Sequence, residues 1–304
     1  MRPQGKVSCP LCGAYRTGDS WHGSIFWAGR EFNYLQCFSC NSLFCWPMPN
    51  DELLGQMYGM QVGYDCESTG SELCCGDANR VLRYLARLEP TTFVDYGCGS
   101  ALLLLEAKRL GWKVIGVEWD EGLANEISTR AGVQVVSQQT ASEVLGSGVA
   151  DVLHLGDVIE HLTSVNTQMP SILGLLKPTG MLVAQGPLQA NATVFNGVLR
   201  AVRSVTRRFR RTEVVPQHVM LASTAGQRAF FERFGLGELE FEVWETNWPA
   251  PSSLCLGDLL RPRTVALYCL ASVSSRISRL RPGRWGNRYF YRGRLGKRTG
   301  EAAS

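Results

Sequence analysis

Four cysteines near the start of the chain have the spacing of metal ligands. Cys9 and Cys12 form one CxxC pair, and Cys37 and Cys40 form a second, with 24 residues between the pairs. Each pair can make a tight knuckle, and four thiolates can bind one Zn²⁺ ion tetrahedrally. In a reducing compartment this spacing favours metal binding over disulfides. The sequence therefore predicts a structural zinc site.

A glycine-rich turn follows the apolar run Phe93-Val94-Asp95-Tyr96, which we interpret as a strand. Gly97 and Gly99 allow the backbone to turn tightly and to approach a ligand closely. A dinucleotide site would need a third glycine, but position 102 is Leu,. Asp95 would repel a pyrophosphate, whereas it would attract the cationic amino group and sulfonium of S-adenosylmethionine (SAM). The turn therefore favours SAM and disfavours an NAD-dependent oxidoreductase.

The next apolar run ends at Glu118, 21 residues after Gly97. An acidic residue at the tip of the second strand can accept hydrogen bonds from both ribose hydroxyls of a nucleoside. Glu118 therefore supports a nucleoside cofactor without choosing which one.

The candidate chemical centre combines carboxylates and histidines. Asp157, Glu160 and His161 have the spacing i, i+3 and i+4, so on a helix they would share one face at the carboxyl edge of the sheet,. His218, 57 residues after His161, is the next candidate partner. These groups could activate a hydroxyl as a base or bind a divalent ion. Alternatively, Glu160 and His161 could cap and position the helix beneath SAM.

Strand-like and helix-like segments alternate in the middle of the chain, which is typical of βαβ units and a parallel sheet. We predict strands at 92–96, 113–118, 133–136, 151–155 and 181–185, with a turn at 177–180. We predict helices around 81–88, 102–110, 121–131, 140–145 and 167–176, then at 198–211, 224–234 and 265–280,. Further strands are predicted at 239–244 and 289–291. A short helix is also predicted from Asp51 to Tyr58,.

We therefore expect an α/β, Rossmann-like fold preceded by a small zinc-ribbon-like module. The expected divisions are the module at 1–50, linker helices at 51–90 and the main domain at 91–304, with a basic insertion near 188–222.

From about Asn79 to Gly235 the sequence resembles class I SAM-dependent methyltransferases, in the branch that includes ubiquinone-pathway O-methyltransferases. The resemblance is carried by the run 93–99, Glu118, the run 151–162 and the run 176–182. It implies a seven-stranded sheet whose last strand is antiparallel. The implied cofactor contacts are Asp95, Gly97, Cys98 and Gly99 near the methionine part, Glu118 at the ribose, Trp119 and Thr140 beside the adenine, and Gly156 and Asp157 beneath.

A cluster similar to that of Glu160, His161 and His218 binds a divalent cation in small-RNA 2′-O-methyltransferases and in part of the ubiquinone branch. The resemblance implies that these three residues hold Mg²⁺ or a similar ion, or act as a base without metal. Asp157 departs from that pattern, because the metal enzymes usually have Glu at its position. The chain also lacks the Asn/Asp-Pro-Pro-Tyr sequence of amide and base N-methyltransferases.

The cysteine module, with the Pro-Met-Pro joint at 47–49, is similar to modules that precede the methyltransferase domain in bacterial polysaccharide- and sugar-modifying enzymes. These enzymes include sugar C-methyltransferases. The resemblance implies that the module shapes the substrate mouth or an interface.

Charge is distributed unevenly along the chain. From Val198 onward there are 19 Lys and Arg against 8 Asp and Glu, whereas the first 197 residues have 12 against 19. The basic half favours an anionic or membrane-surface partner, or is simply a solvated surface. The predicted insertion contains six arginines, Arg200, Arg203, Arg207, Arg208, Arg210 and Arg211. Phe209 is the single aromatic residue among them, so they lack the interleaved aromatic residues of a nucleic-acid stacking platform,.

We therefore expect a cytoplasmic enzyme without a membrane span that methylates a hydroxyl of a saccharide or related metabolite. The acceptor would be a small molecule or glycan, anionic or lipid-linked, and peripheral membrane contact is compatible with the basic half. Two alternatives are a sugar C-methyltransferase, in which a base removes a proton next to a carbonyl, and an RNA methyltransferase or zinc-module nucleic-acid binder.

Overall fold

The protein is described by a computed structural model. The structure describes residues 7–50, 52–53, 55–56, 71–207, 215–246, 254–280 and 285–296. Of the short helix predicted from Asp51 to Tyr58, residues 52, 53, 55 and 56 are described and are helical. The other half of it lies outside the described residues, as do Arg208, Arg210 and Arg211.

The described residues form eleven strands in two sheets. The strands are β1 Thr17–Trp27, β2 Arg30–Cys37, β3 Leu43–Trp46, β4 Thr92–Tyr96, β5 Lys113–Glu118, β6 Gln134–Ser137, β7 Ala150–Gly156, β8 Leu176–Pro187, β9 Met220–Leu221, β10 Leu236–Trp244 and β11 Arg288–Leu295.

Eight α-helices and two short 3₁₀ helices connect these strands in the described parts of the chain. The α-helices are α1 Ser71–Leu85, α2 Leu102–Arg109, α3 Glu121–Ala131, α4 Ala141–Leu145, α5 Val165–Gly174, α6 Val194–Arg207, α7 Thr224–Arg233 and α8 Pro262–Arg279. The 3₁₀ helices are Ile159–His161 and Leu256–Leu260. None of the described helices combines the length and hydropathy that a membrane crossing requires.

The large sheet has the strand order β10-β11-β8-β7-β4-β5-β6. Its central strands are parallel, and β11 runs antiparallel between β8 and β10. The central strands are nearly continuous apolar runs because helices cover both faces of the sheet,. The Rossmann-like α/β prediction and the antiparallel last strand are confirmed.

Two local predictions differ from the structure. The turn predicted at 177–180 lies inside β8, where the pairing with β7 shifts register between Ala150 and Val152. The prediction that one helix carries Asp157, Glu160 and His161 is wrong, because only a three-residue 3₁₀ helix, Ile159–His161, forms there. Asp157 precedes it with a positive φ of 53°, so a helical face cannot align the three side chains.

The small sheet joins the amino-terminal module to a distant part of the chain. Its order is β1-β2-β3-β9, with antiparallel pairing throughout. Strand β9 contributes only Met220 and Leu221, which pair with Phe44 and Leu43. Because β9 begins two residues after His218, this pairing holds a predicted site residue close to the module.

Arg288, which is buried on β11, forms a charge network with buried Asp77 and with the more exposed Asp157 at the carboxyl edge of the large sheet. Its guanidinium binds both carboxylate oxygens of Asp157, at 2.6 and 3.0 Å, and also binds Asp77 of α1. Burial favours the neutral form of Asp157, but the Arg288 charge outweighs it and lowers the Asp157 pKa,. Arg288 on β11 therefore balances the charge of a carboxylate on α1 and of another just after β7.

Replacing Arg288 should destabilise the protein strongly. We expect Arg288→Met to lower the free energy of unfolding at pH 7 by about 3–5 kcal/mol, because it leaves carboxylates without their cation. Those carboxylates would have raised pKa values, so the loss should be smaller at pH 5 than at pH 7. Urea unfolding at both pH values measures this.

The matched control is Arg109→Met, which removes an exposed i, i+3 pair with Glu106. We expect it to change the free energy of unfolding by no more than about 0.5 kcal/mol. Equal losses for the two variants would contradict the importance of the Arg288 network.

Candidate active site

The glycine turn has the geometry of a ligand-binding loop. Gly97 and Gly99 both adopt positive φ, 78° and 50°. A Cβ atom on Gly97 would lie 2.7 Å from Cγ2 of Val158, so the loop packs directly on the segment that carries Glu160. A Cβ on Gly99 would meet no atom within 4 Å. The loop therefore leaves open space beside Gly99.

Glu118 is tied to this loop by hydrogen bonds. Its Oε2 accepts from the Gly99 amide at 2.9 Å, and its Oε1 accepts from the Trp119 amide at 2.8 Å. Burial raises the pKa of Glu118. A carboxylate has about four acceptor sites, so the oxygens retain acceptor capacity for ribose hydroxyls. The structure thus brings together the glycine turn and the acidic strand tip that the sequence separated.

Asp95 is buried at the end of β4 and pairs with His154 on the neighbouring strand β7. The distance from Oδ1 of Asp95 to Nδ1 of His154 is 2.7 Å. Sequence reasoning missed His154, although a histidine inside the buried strand pattern was a signal. The pair holds one oxygen of Asp95 in place beneath the loop, and Asp95 can still offer its second oxygen.

The remaining predicted cofactor residues surround the same edge of the sheet. Cys98 is buried, with its Sγ next to the position that a Gly116 Cβ would take. Thr140 precedes α4, with its Oγ1 2.8 Å from the hydroxyl of Ser137. Gly156 ends β7, and a Cβ there would lie 2.6 Å from the His154 ring. Trp119, which follows Glu118, is half-buried.

Glu160, His161 and His218 come together as a compact cluster. Their candidate ligand atoms all lie within 4.8 Å of one another, and the two imidazole rings are 4.9 Å apart. Glu160 is buried, and its Oε1 has no hydrogen-bond partner among the described residues. Asp157 is not part of this cluster, because its carboxylate binds Arg288.

Both imidazoles are oriented through Nδ1. That atom lies 2.8 Å from the Gln217 carbonyl in His161 and 2.9 Å from Oε1 of Gln189 in His218. A carbonyl accepts only, so the His161 proton is on Nδ1 and its lone pair is on Nε2. We assign the same tautomer to His218. A hydrogen bond from Nδ1 orients the ring and leaves the Nε2 lone pair available, as is usual for histidines that bind a metal or act as a base.

Burial sets the protonation of the cluster. It lowers the pKa of His161, and with the His161 charge it lowers the pKa of His218 to about 3. Burial and then the neighbouring Asp157 raise the pKa of Glu160 well above its usual value. The histidines are therefore neutral at pH 7, and Glu160 is a stronger base than an ordinary carboxylate.

The amino-terminal module holds the segment that carries His218. Tyr34 on β2 donates from its hydroxyl to the His218 carbonyl at 2.7 Å, and Cys45 on β3 donates its amide to the Val219 carbonyl at 2.8 Å. The Val219 amide in turn donates to the Glu160 carbonyl at 2.9 Å. Sequence reasoning missed Tyr34, because its partner lies 184 residues away.

One arginine of the basic insertion reaches the same region. Arg200 on α6 donates to the carbonyls of Gln189 and Asn191 at 2.8 and 2.9 Å, and its guanidinium lies 4.2 Å from the Trp21 ring. The described residues give it no carboxylate partner. Burial lowers its pKa. Gln189 therefore connects His218 on one side with an uncompensated cation on the other. Side-chain positions of Arg203 and Arg207 are not described.

The four cysteines also come together. Their Sγ atoms all lie within 4.8 Å of one another, with 3.8 Å between Cys9 and Cys40 and 3.6 Å between Cys12 and Cys37. Tetrahedral thiolates at 2.3 Å from zinc are about 3.8 Å apart. The four residues therefore fit a Zn²⁺ ion.

The cysteine cluster supports helix α7 of the main domain. Ser223 caps this helix by accepting from the Gly226 amide at 3.0 Å, and its hydroxyl also contacts the Cys40 carbonyl. A Cβ on Gly226 would lie 2.0 Å from the Ser42 hydroxyl, so only glycine permits this approach.

The fold and the loop geometry together define a class I, SAM-type methyltransferase architecture. Residues 70–245 match a family model described as "Methyltransferase domain", which covers more than half of the chain. The chain therefore belongs to the methyltransferase-domain family.

Curated relatives match about a third of the chain. A ubiquinone biosynthesis O-methyltransferase from Caulobacter vibrioides is 32% identical over 103 residues, 32% of this chain and 41% of that protein. A ribosomal protein L11 methyltransferase from Vibrio cholerae is 34% identical over 118 residues, 36% of this chain and 39% of that protein. The chain thus spans less than half the length of these relatives.

Solved structures resemble the fold at low identity. A 1,6-didemethyltoxoflavin-N1-methyltransferase from Burkholderia thailandensis, with bound S-adenosylhomocysteine, has a TM-score of 0.50 and 12% identity, covering 90% of this chain and 99% of that chain. A SAM-dependent methyltransferase from Archaeoglobus fulgidus has a TM-score of 0.45 and 16% identity, covering 73% and 93%.

Glu118 should dominate recognition of the cofactor ribose. We expect Glu118→Gln to weaken SAM binding by about tenfold or more, because charge-assisted hydrogen bonds contribute about 1.5–3 kcal/mol each. Isothermal titration calorimetry with SAM measures this. Glu121→Gln, an exposed change three residues further on, is the control and should bind SAM as the wild type does. Unchanged binding in Glu118→Gln would contradict the assigned role.

Proposed function

We propose that this protein transfers a methyl group from SAM to a hydroxyl of a small anionic acceptor, a saccharide or a related metabolite. The cluster of Glu160, His161 and His218 beside the glycine loop carries the proposal. Fit to SAM is supported by the open space at Gly99, the Glu118 carboxylate and the acidic Asp95 beneath the loop.

SAM supplies a methyl group that its sulfonium already activates, so the protein must mainly align the acceptor and remove its proton. Glu160 is the best base of the cluster, because a raised pKa brings a carboxylate closer to the working pH,. The neutral histidines are held through Nδ1. Their Nε2 atoms can accept a hydrogen bond from the substrate hydroxyl and so orient it. The unpartnered Oε1 of Glu160 is the atom assigned to take the proton.

The same three residues would also hold a divalent cation, which would supply Lewis-acid activation of the hydroxyl,. Two imidazoles and one carboxylate suit a transition-metal ion better than the Mg²⁺ that the sequence resemblance implies. Support comes from the compact arrangement and from the hydrogen bonds that orient both imidazoles,. Asp157 contributes nothing to such a site, because Arg288 neutralises it. Activity that is unchanged after treatment with EDTA would eliminate the metal version and leave the base.

Arg200 supports an anionic acceptor. Its positive charge has no carboxylate partner among the described residues, and Gln189 links it to His218. A carboxylate or phosphate near the acceptor hydroxyl would neutralise the positive charge of Arg200 and form strong hydrogen bonds with its guanidinium. A saccharide that bears such a group therefore suits the site better than a neutral sugar does.

Labelled SAM with a panel of nucleotide sugars, sugar phosphates and neutral sugars tests the function. We expect methyl transfer to the oxygen of an anionic acceptor, with kcat/KM rising as pH rises through the raised pKa of Glu160, above 4.5. Glu160→Gln should lower kcat by about 10²–10⁴-fold and remove this pH dependence. SAM affinity should stay within about threefold of wild type, a difference of under 1 kcal/mol.

Gln134→Ala is the matched control, because Gln134 is exposed on β6 at the far edge of the sheet. It should retain wild-type kcat. A product methylated at carbon would contradict methyl transfer to a hydroxyl and would support the C-methyltransferase alternative. Full activity in Glu160→Gln would reject Glu160 as the base.

We also propose that Cys9, Cys12, Cys37 and Cys40 bind structural Zn²⁺. Purified protein should contain one zinc per chain by mass spectrometry of metals, and Cys12→Ser should lose it and unfold at lower temperature. Cys269→Ser is the control, because Cys269 is exposed on α8, outside the cluster. Wild-type protein free of zinc after expression with ample zinc would refute the metal assignment.

A further inference from the structure

Helix α6 buries Phe195 against α8 but leaves several other apolar positions exposed. A surface helix normally buries its apolar stripe and exposes its polar one. On α6 the exposed positions include Val194, Gly197, Val198 and Ala201, which recur at helical spacing. Arg200, in contrast, is half-buried and faces Trp21. The helix therefore presents small and apolar residues to the outside.

Helix α8 packs beside α6 and extends this exposed apolar surface. The Phe195 amide donates to the Ser274 hydroxyl at 3.0 Å, and Ser274 donates to Glu245 at 2.6 Å. These contacts fix the inner side of α8. Its outer side carries Ala266, Cys269, Val273, Arg276 and Leu280, which are all exposed.

Valine and leucine side chains are exposed on α6, at and after α8, and on the 3₁₀ helix before it. Val198 is 41% exposed, Val273 50%, Leu280 79% and Leu260 87%. Exposed apolar residues that recur on the outer sides of neighbouring elements indicate a surface that contacts a partner.

The charge of these segments identifies the kind of partner. The sequence 194–212 contains six arginines and 256–284 contains six more, and Asp258 is the single acidic residue in the two segments. Within the part of the chain that the structure describes, Arg261, Arg263, Arg276 and Arg279 are exposed. A self-complementary dimer would place this same basic surface against itself, with like charges opposed. Nucleic acid would require charges, and not valines, on the outer side of α6. An anionic membrane surface satisfies both the apolar residues and the arginines.

We propose that α6, α8 and the 3₁₀ helix Leu256–Leu260 form a surface that docks onto the headgroup region of an anionic lipid membrane. The apolar outer residues enter the interface between headgroups and acyl chains, and the exposed arginines Arg261, Arg263, Arg276 and Arg279 contact lipid phosphates,. Because α6 also carries Arg200, docking would bring the acceptor side of the candidate active site to the membrane surface. Acceptors attached to a lipid would then reach the site without leaving the membrane.

Flotation of the full chain with lipid vesicles tests this proposal. We expect binding to vesicles of equal parts phosphatidylcholine and phosphatidylglycerol, and little binding to pure phosphatidylcholine. The double variant Val198→Asn/Val273→Asn should bind the anionic vesicles at least about tenfold more weakly, because it removes apolar contact from both helices while keeping every arginine.

Val144→Asn is the matched control, because Val144 is 58% exposed but lies on α4, away from this surface. It should bind vesicles as the wild type does. Circular dichroism and SAM binding show whether each variant is folded, and a vesicle assay on folded variants then decides. Three results would overturn the proposal: no binding to anionic vesicles, equal binding by the double variant, or dimerisation that the double variant abolishes.

Discussion

The pairing of β9 with β3 is the contact on which the candidate active site depends. It connects a two-residue strand to the amino-terminal sheet, and this strand begins two residues after His218. Tyr34 then binds the His218 carbonyl, and Val219 binds the Glu160 carbonyl. Three parts of the chain that are remote in sequence therefore meet at one backbone segment. The module thus adds the contacts of Tyr34 and Cys45 to those that Gln189 and Glu160 make with the same segment.

This arrangement gives the cysteine cluster a role beyond the module itself. Cys40 contacts the cap of α7 through Ser223, and α7 follows β9 directly. A metal ion there would stiffen both the sheet and the helix that flank the His218 segment. The zinc would act on chemistry only through position, since the Cys40 cluster and the Glu160 cluster are separate groups of side chains.

Charge compensation explains why two carboxylates near the same site behave differently. Asp157 is held ionised by Arg288, whereas Glu160, buried without a bonded cation, has a raised pKa. Separated pKa values of neighbouring groups assign different roles to them. Asp157 therefore serves the architecture of the sheet edge, and Glu160 remains available to a substrate.

The sequence by itself determined the Rossmann-like sheet, the glycine turn, the acidic strand tip and the spacing of the cysteines. These features are local, because apolar periodicity, glycine geometry and CxxC spacing act over a few residues. Only the tertiary structure decided that Arg288 removes Asp157 from the chemical cluster, that Asp95 pairs with His154, and that Tyr34 positions His218. Each of these contacts joins residues 59 or more positions apart, so its partner is set by strand order and packing, and no local pattern encodes it.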